Sequence, residues 1–192
     1  MKVTIGIVGK IRSGKGTVGE IITSEFQTRG LSVISHRFSD ILRETESMWH
    51  LPPGRDSQQK IVLAMRHYFG ENVLSAAVGK RVLNTDKDVV ILDGLRWIKS
   101  DYPLLQSLPN SYLFYVEAPA EIRWERSKEG THKPDEIAAS FEEFLERDNV
   151  ENELEIPLFK EQADFIIDNS KDGEGNLREQ VKLAMAGLST LR

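Results

Sequence analysis

The chain has 192 residues, of which 40% are hydrophobic and 29% charged, with 25 lysines and arginines against 30 acidic residues. Those figures predict one soluble globular domain with a single core, and the net charge of -5 argues against a general nucleic-acid binder, which would carry a basic stripe. There is no cysteine, which excludes a disulfide scaffold and a thiolate metal site and suits a reducing cytoplasmic setting. The apolar stretch Val3 to Val8 is too short for a signal-peptide core, and no run approaches the ~20 apolar residues of a bilayer span. No membrane partner and no nucleic acid are expected, and oligomeric state is left open.

Short β-branched runs alternate with longer amphipathic stretches, the pattern of an α/β domain with a parallel sheet. Val3 to Val8 reads as a buried strand, followed by a glycine loop and a helix from about Gly16 to Thr28 that Gly30 stops. Leu31 to Phe38 reads as a second strand, and Ser39-Asp40 as the N-cap of a short helix. Residues 47 to 87 contain no good strand; two helices are expected at roughly 56–69 and 71–84, broken at Gly70. Val89 to Leu92, Ser111 to Val116 and Phe165 to Ile167 read as strands three to five. A polar segment, 129–136, precedes a charged helix ending near Asn149, and a turn at 171–175 leads to a closing helix. The expected fold is a three-layer α/β/α domain with a five-stranded parallel sheet: a core of 1–46, 85–128 and 150–192, a helical acceptor-binding insertion at about 47–84, and a short lid at about 129–149. Insertion and lid fall at the carboxyl ends of the strands, where such sheets bind ligands.

Gly9-Lys10-Ile11-Arg12-Ser13-Gly14-Lys15-Gly16-Thr17 follows a strand and opens a helix, the context that turns a short pattern into a phosphate-binding loop, or P-loop. Glycines let successive backbone N–H groups turn inward as an anion nest, and the helix N-terminus adds positive partial charge. Lys15 reaches the β- and γ-phosphates of ATP as a point charge, and Arg12 and Ser13 are further loop contacts. Gly16 stands where a hydroxyl usually touches Mg²⁺, so Thr17, one residue later, is read as a phosphate contact holding Mg²⁺ largely through water. Asp93, after four aliphatic residues, sits at a strand's carboxyl end and is read as the acid that orients metal-bound water.

These residues resemble the nucleoside monophosphate kinase family, the adenylate-kinase-like group of P-loop kinases. Gly14-Lys15-Gly16-Thr17 is similar to that family's loop ending, Ser39-Asp40-Ile41-Leu42-Arg43 to its acceptor-side helix, and Asp93-Gly94-Leu95-Arg96 to its acid-glycine segment. The resemblance is nearest a branch of small archaeal and bacterial kinase-like proteins related to dephospho-coenzyme A kinase, with Arg66-x-x-x-Gly70-Glu71-x-Val73 and Glu146-Arg147-Asp148 as further likenesses. It implies ATP with Mg²⁺ as phosphoryl donor and Asp40, Arg43, Arg66, Gly94 and Arg96 as acceptor-side residues. Arg126 and Arg147 become lid arginines that close on ATP and the transferred phosphoryl group, with Arg123 on the same helical face as Arg126. The chain departs from that pattern in having Leu95 alone between Gly94 and Arg96, and Lys133 where an arginine is expected.

The function implied is transfer of the γ-phosphoryl of ATP to a small phosphorylated acceptor, a (deoxy)nucleoside monophosphate. A hydroxyl acceptor such as dephospho-coenzyme A or a nucleoside is the alternative, with Asp40 or Asp93 as base. A regulatory P-loop ATPase, which needs no acceptor arginines, is the reading from a different class.

Overall fold

The computed structural model describes residues 2–129, 140–171 and 173–188. Five strands form one sheet in the order β2-β3-β1-β4-β5: β1 (Val3–Val8), β2 (Val33–Arg37), β3 (Val89–Asp93), β4 (Ser111–Glu117) and β5 (Phe165–Asp168). Every neighbouring pair is parallel. The central strands are near-continuous aliphatic runs because both of their faces are covered. Successive side chains alternate between two cores. Val89 and Ile91 pack with Ile5, Ile7, Phe114 and Val116 against α1 (Lys15–Thr28) and α8 (Glu174–Gly187). Val90, Leu92, Leu113 and Tyr115 face the opposite core, with residues of α2 (Phe38–Met48), α3 (Arg55–Phe69), α4 (Val73–Leu83) and α5 (Asp101–Ser107).

The order of the strands agrees with the sequence pattern, with three differences of detail, the first being α5, a helix between β3 and β4 where none was expected. The helix after β2 begins at Phe38, and Asp40 is its third residue, not its cap: its carboxylate accepts a hydrogen bond from the Arg37 backbone N–H at 2.9 Å. The stretch after α7 (Phe141–Asp148) folds into two 3₁₀ segments, Glu151–Glu153 and Ile156–Gln162. The second buries Ile156 and Phe159 in the α3–α5 core, so the sheet is approached by irregular chain where no element was expected. The helix α6 (Ala120–Glu129) follows β4. Most of the polar segment 129–136, including Lys133, lies outside the described residues. Among those described, no helix is long and apolar enough to cross a membrane.

Because β1 lies between β3 and β4, the loop leaving β1 emerges where connections diverge to the two sides of the sheet. That is the crevice in which doubly wound sheets bind ligands.

Candidate functional site

The glycine loop closes over the carboxyl end of β1. Arg12 has φ 59 and Gly14 φ 101, and such a left-handed path in a tight loop turns successive N–H groups inward. Two glycines are required sterically. A Cβ on Gly9 would stand 2.3 Å from the Val116 carbonyl oxygen and 2.7 Å from Ser13 Oγ, and one on Gly14 would stand 2.1 Å from Asn169 Nδ2. A Cβ on Gly16 meets nothing within 4 Å. Gly9→Ala should therefore destabilise the fold by about 1–3 kcal/mol through overpacking against fixed backbone, whereas Gly16→Ala should leave the urea midpoint unchanged or slightly raised. A Gly9→Ala midpoint equal to wild type would show that β4 yields to the loop.

Lys15 Nζ donates to the Gly9 and Lys10 carbonyls at 2.7 and 2.9 Å, so its ammonium lies over the nest. Two networks anchor the loop from outside. Asn169, just beyond β5, donates from Nδ2 to the Ser13 carbonyl at 2.9 Å and accepts at its own carbonyl from Arg126 Nη2 at 2.9 Å. Asp148, at the end of α7, takes a two-pronged contact from Arg123 at 2.6 and 2.8 Å and another from Lys10 Nζ at 2.8 Å. Arg123 also donates to the Ile11 carbonyl. Burial by itself pushes the Asp148 carboxyl up, but Arg123 and Lys10 outweigh it and hold it below its ordinary value. Arg123 is thus a buried anchor of the loop.

From the loop runs a groove of about 1390 Å³, bounded on its far side by α2, the 50–55 loop and α3. Such a volume exceeds the usual single-ligand pocket of roughly 300–1,000 Å³ and has room for donor and acceptor together. Arg12, Gly14, Lys15, Gly16, Thr17, Arg43, Asp93, Gly94, Arg96 and Arg126 all lie on its wall. Five expected residues are not on that wall. Asp40 is off the wall, its oxygens engaged by the Arg37 N–H and by Arg43 at 2.9 Å. Arg66 stacks on Trp97, 4.1 Å from the ring centroid, and donates to the Glu71 carbonyl. Arg147 pairs with Glu143 one turn back on α7. Ser13 and Gly9 belong to the loop but not to the groove wall, with Ser13 Oγ buried and lacking a hydrogen-bond partner. Trp49 is exposed, and Trp97 is the tryptophan on the groove.

Several site residues were not visible in the sequence. Arg37, at the end of β2, stands in register beside Asp93, and its Nε lies 3.7 Å from the Asp93 carboxylate. Arg55, at the start of α3, reaches the wall from the insertion. Beneath it Glu153, 1% exposed, binds both Arg55 and Arg96. Asp101, also 1% exposed, accepts from the Arg96 and Trp97 backbone N–H groups at 2.8 and 3.0 Å and from Ser75 Oγ at 2.5 Å, which shapes the turn that carries Arg96. Burial raises the Asp101 carboxyl above its ordinary value against those hydrogen bonds. The strand-end logic that found Asp93 would also have found Arg37 and Asn169; nothing local marks Arg55, Asp101 or Glu153.

The donor set fits Mg²⁺ carried with a nucleotide. Asp93 Oδ1 is buried without a hydrogen-bond partner and Thr17 lies on the same wall. No group of three or more His, Cys, Asp or Glu residues among those described forms a protein cage for a metal. Mg²⁺ commonly uses one or two carboxylates with phosphates and water.

Sheet order, loop and helices on both faces define the P-loop kinase fold. A shikimate kinase from Bacteroides thetaiotaomicron superposes with a TM-score of 0.64 at 14% identity, covering 97% of this chain and 98% of that one. A gluconokinase from Sinorhizobium meliloti superposes with a TM-score of 0.54 at 21% identity, covering 98% and 93%. At such identities the likeness is one of fold. In sequence, the chain is 28% identical over 173 residues to a UPF0200/UPF0201 protein from Archaeoglobus fulgidus, covering 88% of this chain and 51% of the relative. It is 27% identical over 177 residues to a UPF0200 protein from Pyrobaculum aerophilum, covering 92% and 93%. The chain therefore spans about half the length of the Archaeoglobus relative and nearly all of the Pyrobaculum one. No family model matches the chain. The resemblance drawn from the motifs thus reaches the P-loop kinase fold and not the nucleoside monophosphate kinase branch in particular.

Proposed function

We propose that this chain transfers the γ-phosphoryl group of ATP to a small phosphorylated acceptor, a nucleoside monophosphate being the leading candidate. The observation that carries this is the continuity of the groove: the phosphate loop with Lys15 at one end and Arg43, Arg55 and Arg96 at the other line a single space. A hydrolytic switch needs no such cationic second half.

In this scheme an anionic phosphate oxygen of the acceptor attacks the γ-phosphorus, the bond to the β-γ bridging oxygen breaks, and ADP leaves with the electron pair. The nucleophile is already ionised, so the work is positioning and charge neutralisation. Lys15 and the loop N–H groups hold the donor phosphates. Arg126 is tethered through Asn169 to the loop and lies on the groove wall, and in this scheme it neutralises charge that develops on the transferred group. Mg²⁺ bound with ATP would neutralise further phosphate charge there, with Asp93 and Thr17 as its holders on this chain, through water.

A hydroxyl acceptor is the second reading, favoured by the buried, unpartnered Asp93 Oδ1 on the groove. The fold neighbours named for shikimate and gluconate bear on this reading as well. Asp93 would then take the hydroxyl proton as base.

The test is ADP formation from ATP with Mg²⁺ across a panel of nucleoside monophosphates, nucleosides, dephospho-coenzyme A, shikimate and gluconate. At least one monophosphate is expected to raise the rate tenfold or more. A response confined to shikimate, gluconate, nucleosides or dephospho-coenzyme A selects the hydroxyl reading. A rate unchanged across the whole panel defeats transfer and leaves a regulatory ATPase.

A further inference from the structure

Glu153 presents an arrangement that neither the loop nor the acceptor motifs explain. It lies on the 3₁₀ segment after α7, 98 residues beyond Arg55 and 57 beyond Arg96 in sequence. Both guanidiniums nevertheless converge on the same carboxylate oxygen, Oε1, Arg55 Nη2 at 2.8 Å and Arg96 Nη1 in closer contact. The carboxylate is 1% exposed, while the two arginine side chains are 27% and 32% exposed and lie on the groove wall. The acid is therefore hidden beneath and the cations face the ligand space.

Charge counting gives this arrangement a meaning. Two positive charges share one negative charge, so this cluster by itself carries one net positive charge, while the neighbouring wall carboxylate Glu46 is engaged by the Gly54 N–H and Gln58. Two like-charged forks held side by side repel, and they persist together because a buried carboxylate bridges them. A guanidinium has five N–H donors, and the single Arg55 contact to Oε1 leaves donors on Arg55 that a planar or tetrahedral oxyanion matches in geometry. Arg43, fixed by Asp40 at 2.9 Å, lies on the same wall.

Resting on the kinase reading above, we infer that Arg55 and Arg96, spaced by the buried Glu153, form the preassembled seat of the acceptor's anionic group. Arg55 is on this view an acceptor-binding residue, contributed by the helical insertion. Glu153 is a positioning residue that never touches the substrate. The ligand chemistry is a compact oxyanion, a phosphate or a carboxylate borne on a small molecule.

The experiment is titration calorimetry, in the presence of ADP, of inorganic phosphate, AMP, shikimate and adenosine against the wild type and three variants. Arg55→Ala is expected to weaken AMP binding about 10- to 100-fold, the worth of a charge-assisted hydrogen bond, and to leave adenosine unchanged. The same loss for phosphate and AMP but not shikimate assigns a phosphate seat; loss for shikimate alone assigns a carboxylate seat. Glu153→Gln separates positioning from simple attraction. It removes a negative charge next to an anion site, so Coulomb's law by itself predicts tighter AMP binding, whereas loss of the bridge predicts binding about tenfold weaker. Tighter binding overturns the role of Glu153. Should Glu153→Gln fail to fold, Arg55→Lys keeps the charge but loses the fork, and it is expected to weaken AMP by a similar factor; wild-type affinity in Arg55→Lys and Arg55→Ala overturns the seat. So does failure of the wild type to bind phosphate, AMP or shikimate at all.

The two readings fail separately. Arg55-dependent binding of AMP with no phosphoryl transfer to any acceptor defeats the kinase reading and leaves the seat standing. Transfer to a monophosphate with unchanged KM in Arg55→Ala defeats the seat and leaves the kinase standing.

Discussion

Lys15→Ala should lower the rate of ADP formation from ATP by about 10²–10³-fold, the usual consequence of removing one preorganised charge stabiliser from a site excluded from water. The ammonium is held by the Gly9 and Lys10 carbonyls at 2.7 and 2.9 Å, so it is already placed over the loop before any phosphate arrives. Its removal deletes those two hydrogen bonds, worth about 1 kcal/mol each, and thermal unfolding should register only a modest loss. Lys15→Arg should not restore the rate, because a planar fork cannot occupy a position built for a compact ammonium. Steady-state assays of the three proteins decide the matter. A Lys15→Ala rate within threefold of wild type would mean that the loop is not where ATP is activated.

Arg123→Ala should be the most destabilising single change among the charged residues, by about 3 kcal/mol. Arg123 is 4% and Asp148 3% exposed, and truncation leaves a buried carboxylate with Lys10 as its remaining cation. Arg123 also holds the Ile11 and Ala118 carbonyls, so the loop should loosen and ATP affinity should fall with stability. Removing Asp148 as well, in Arg123→Ala/Asp148→Ala, should recover part of the loss, since no uncompensated charge then remains buried. The pH dependence has a definite sign. The folded state holds the Asp148 carboxyl below its ordinary value, so its contribution is complete above the unfolded value of about 4 and is lost as pH falls through the lower folded one. Between pH 5 and pH 3, urea unfolding of the wild type should lose more stability than that of Asp148→Asn. Equal losses would remove Asp148 as the acid-sensitive anchor.

Both predictions concern the same loop, and they differ in how the responsible residue could be found. Lys15 is legible from its neighbours alone: a glycine pattern between a strand and a helix has few other uses, and its geometry is local. Asp93 is legible for the same reason, being the first polar residue after a buried aliphatic run. The sheet followed from the aliphatic runs, because a strand covered on both faces has to be apolar throughout. Ser39-Asp40 has cap chemistry at two registers, and α2 starts one or two residues before the expected cap because the backbone uses the register that puts Asp40 in the third position.

The arginines divide along the same line. On sequence alone every arginine is a plausible solvated charge; position after a strand end raises Arg43 and Arg96, which lie on the groove, while nothing in the pattern reveals that Arg66 stacks on Trp97. Helical spacing puts Arg123 on the same face as Arg126, yet Arg123 is buried against Asp148 and Arg126 reaches the groove wall. Short-range physics, the pairing of a glycine loop with a strand end and a helix start, thus determined from the sequence alone the position of the glycine loop, its lysine, the strand-end acid and the class of sheet that presents them. Only the tertiary structure decided which cations face the groove and which carboxylates hold them, Asp148 for Arg123 and Lys10 and Glu153 for Arg55 and Arg96, because those partners come from distant segments and a buried charge is chosen by what packs around it.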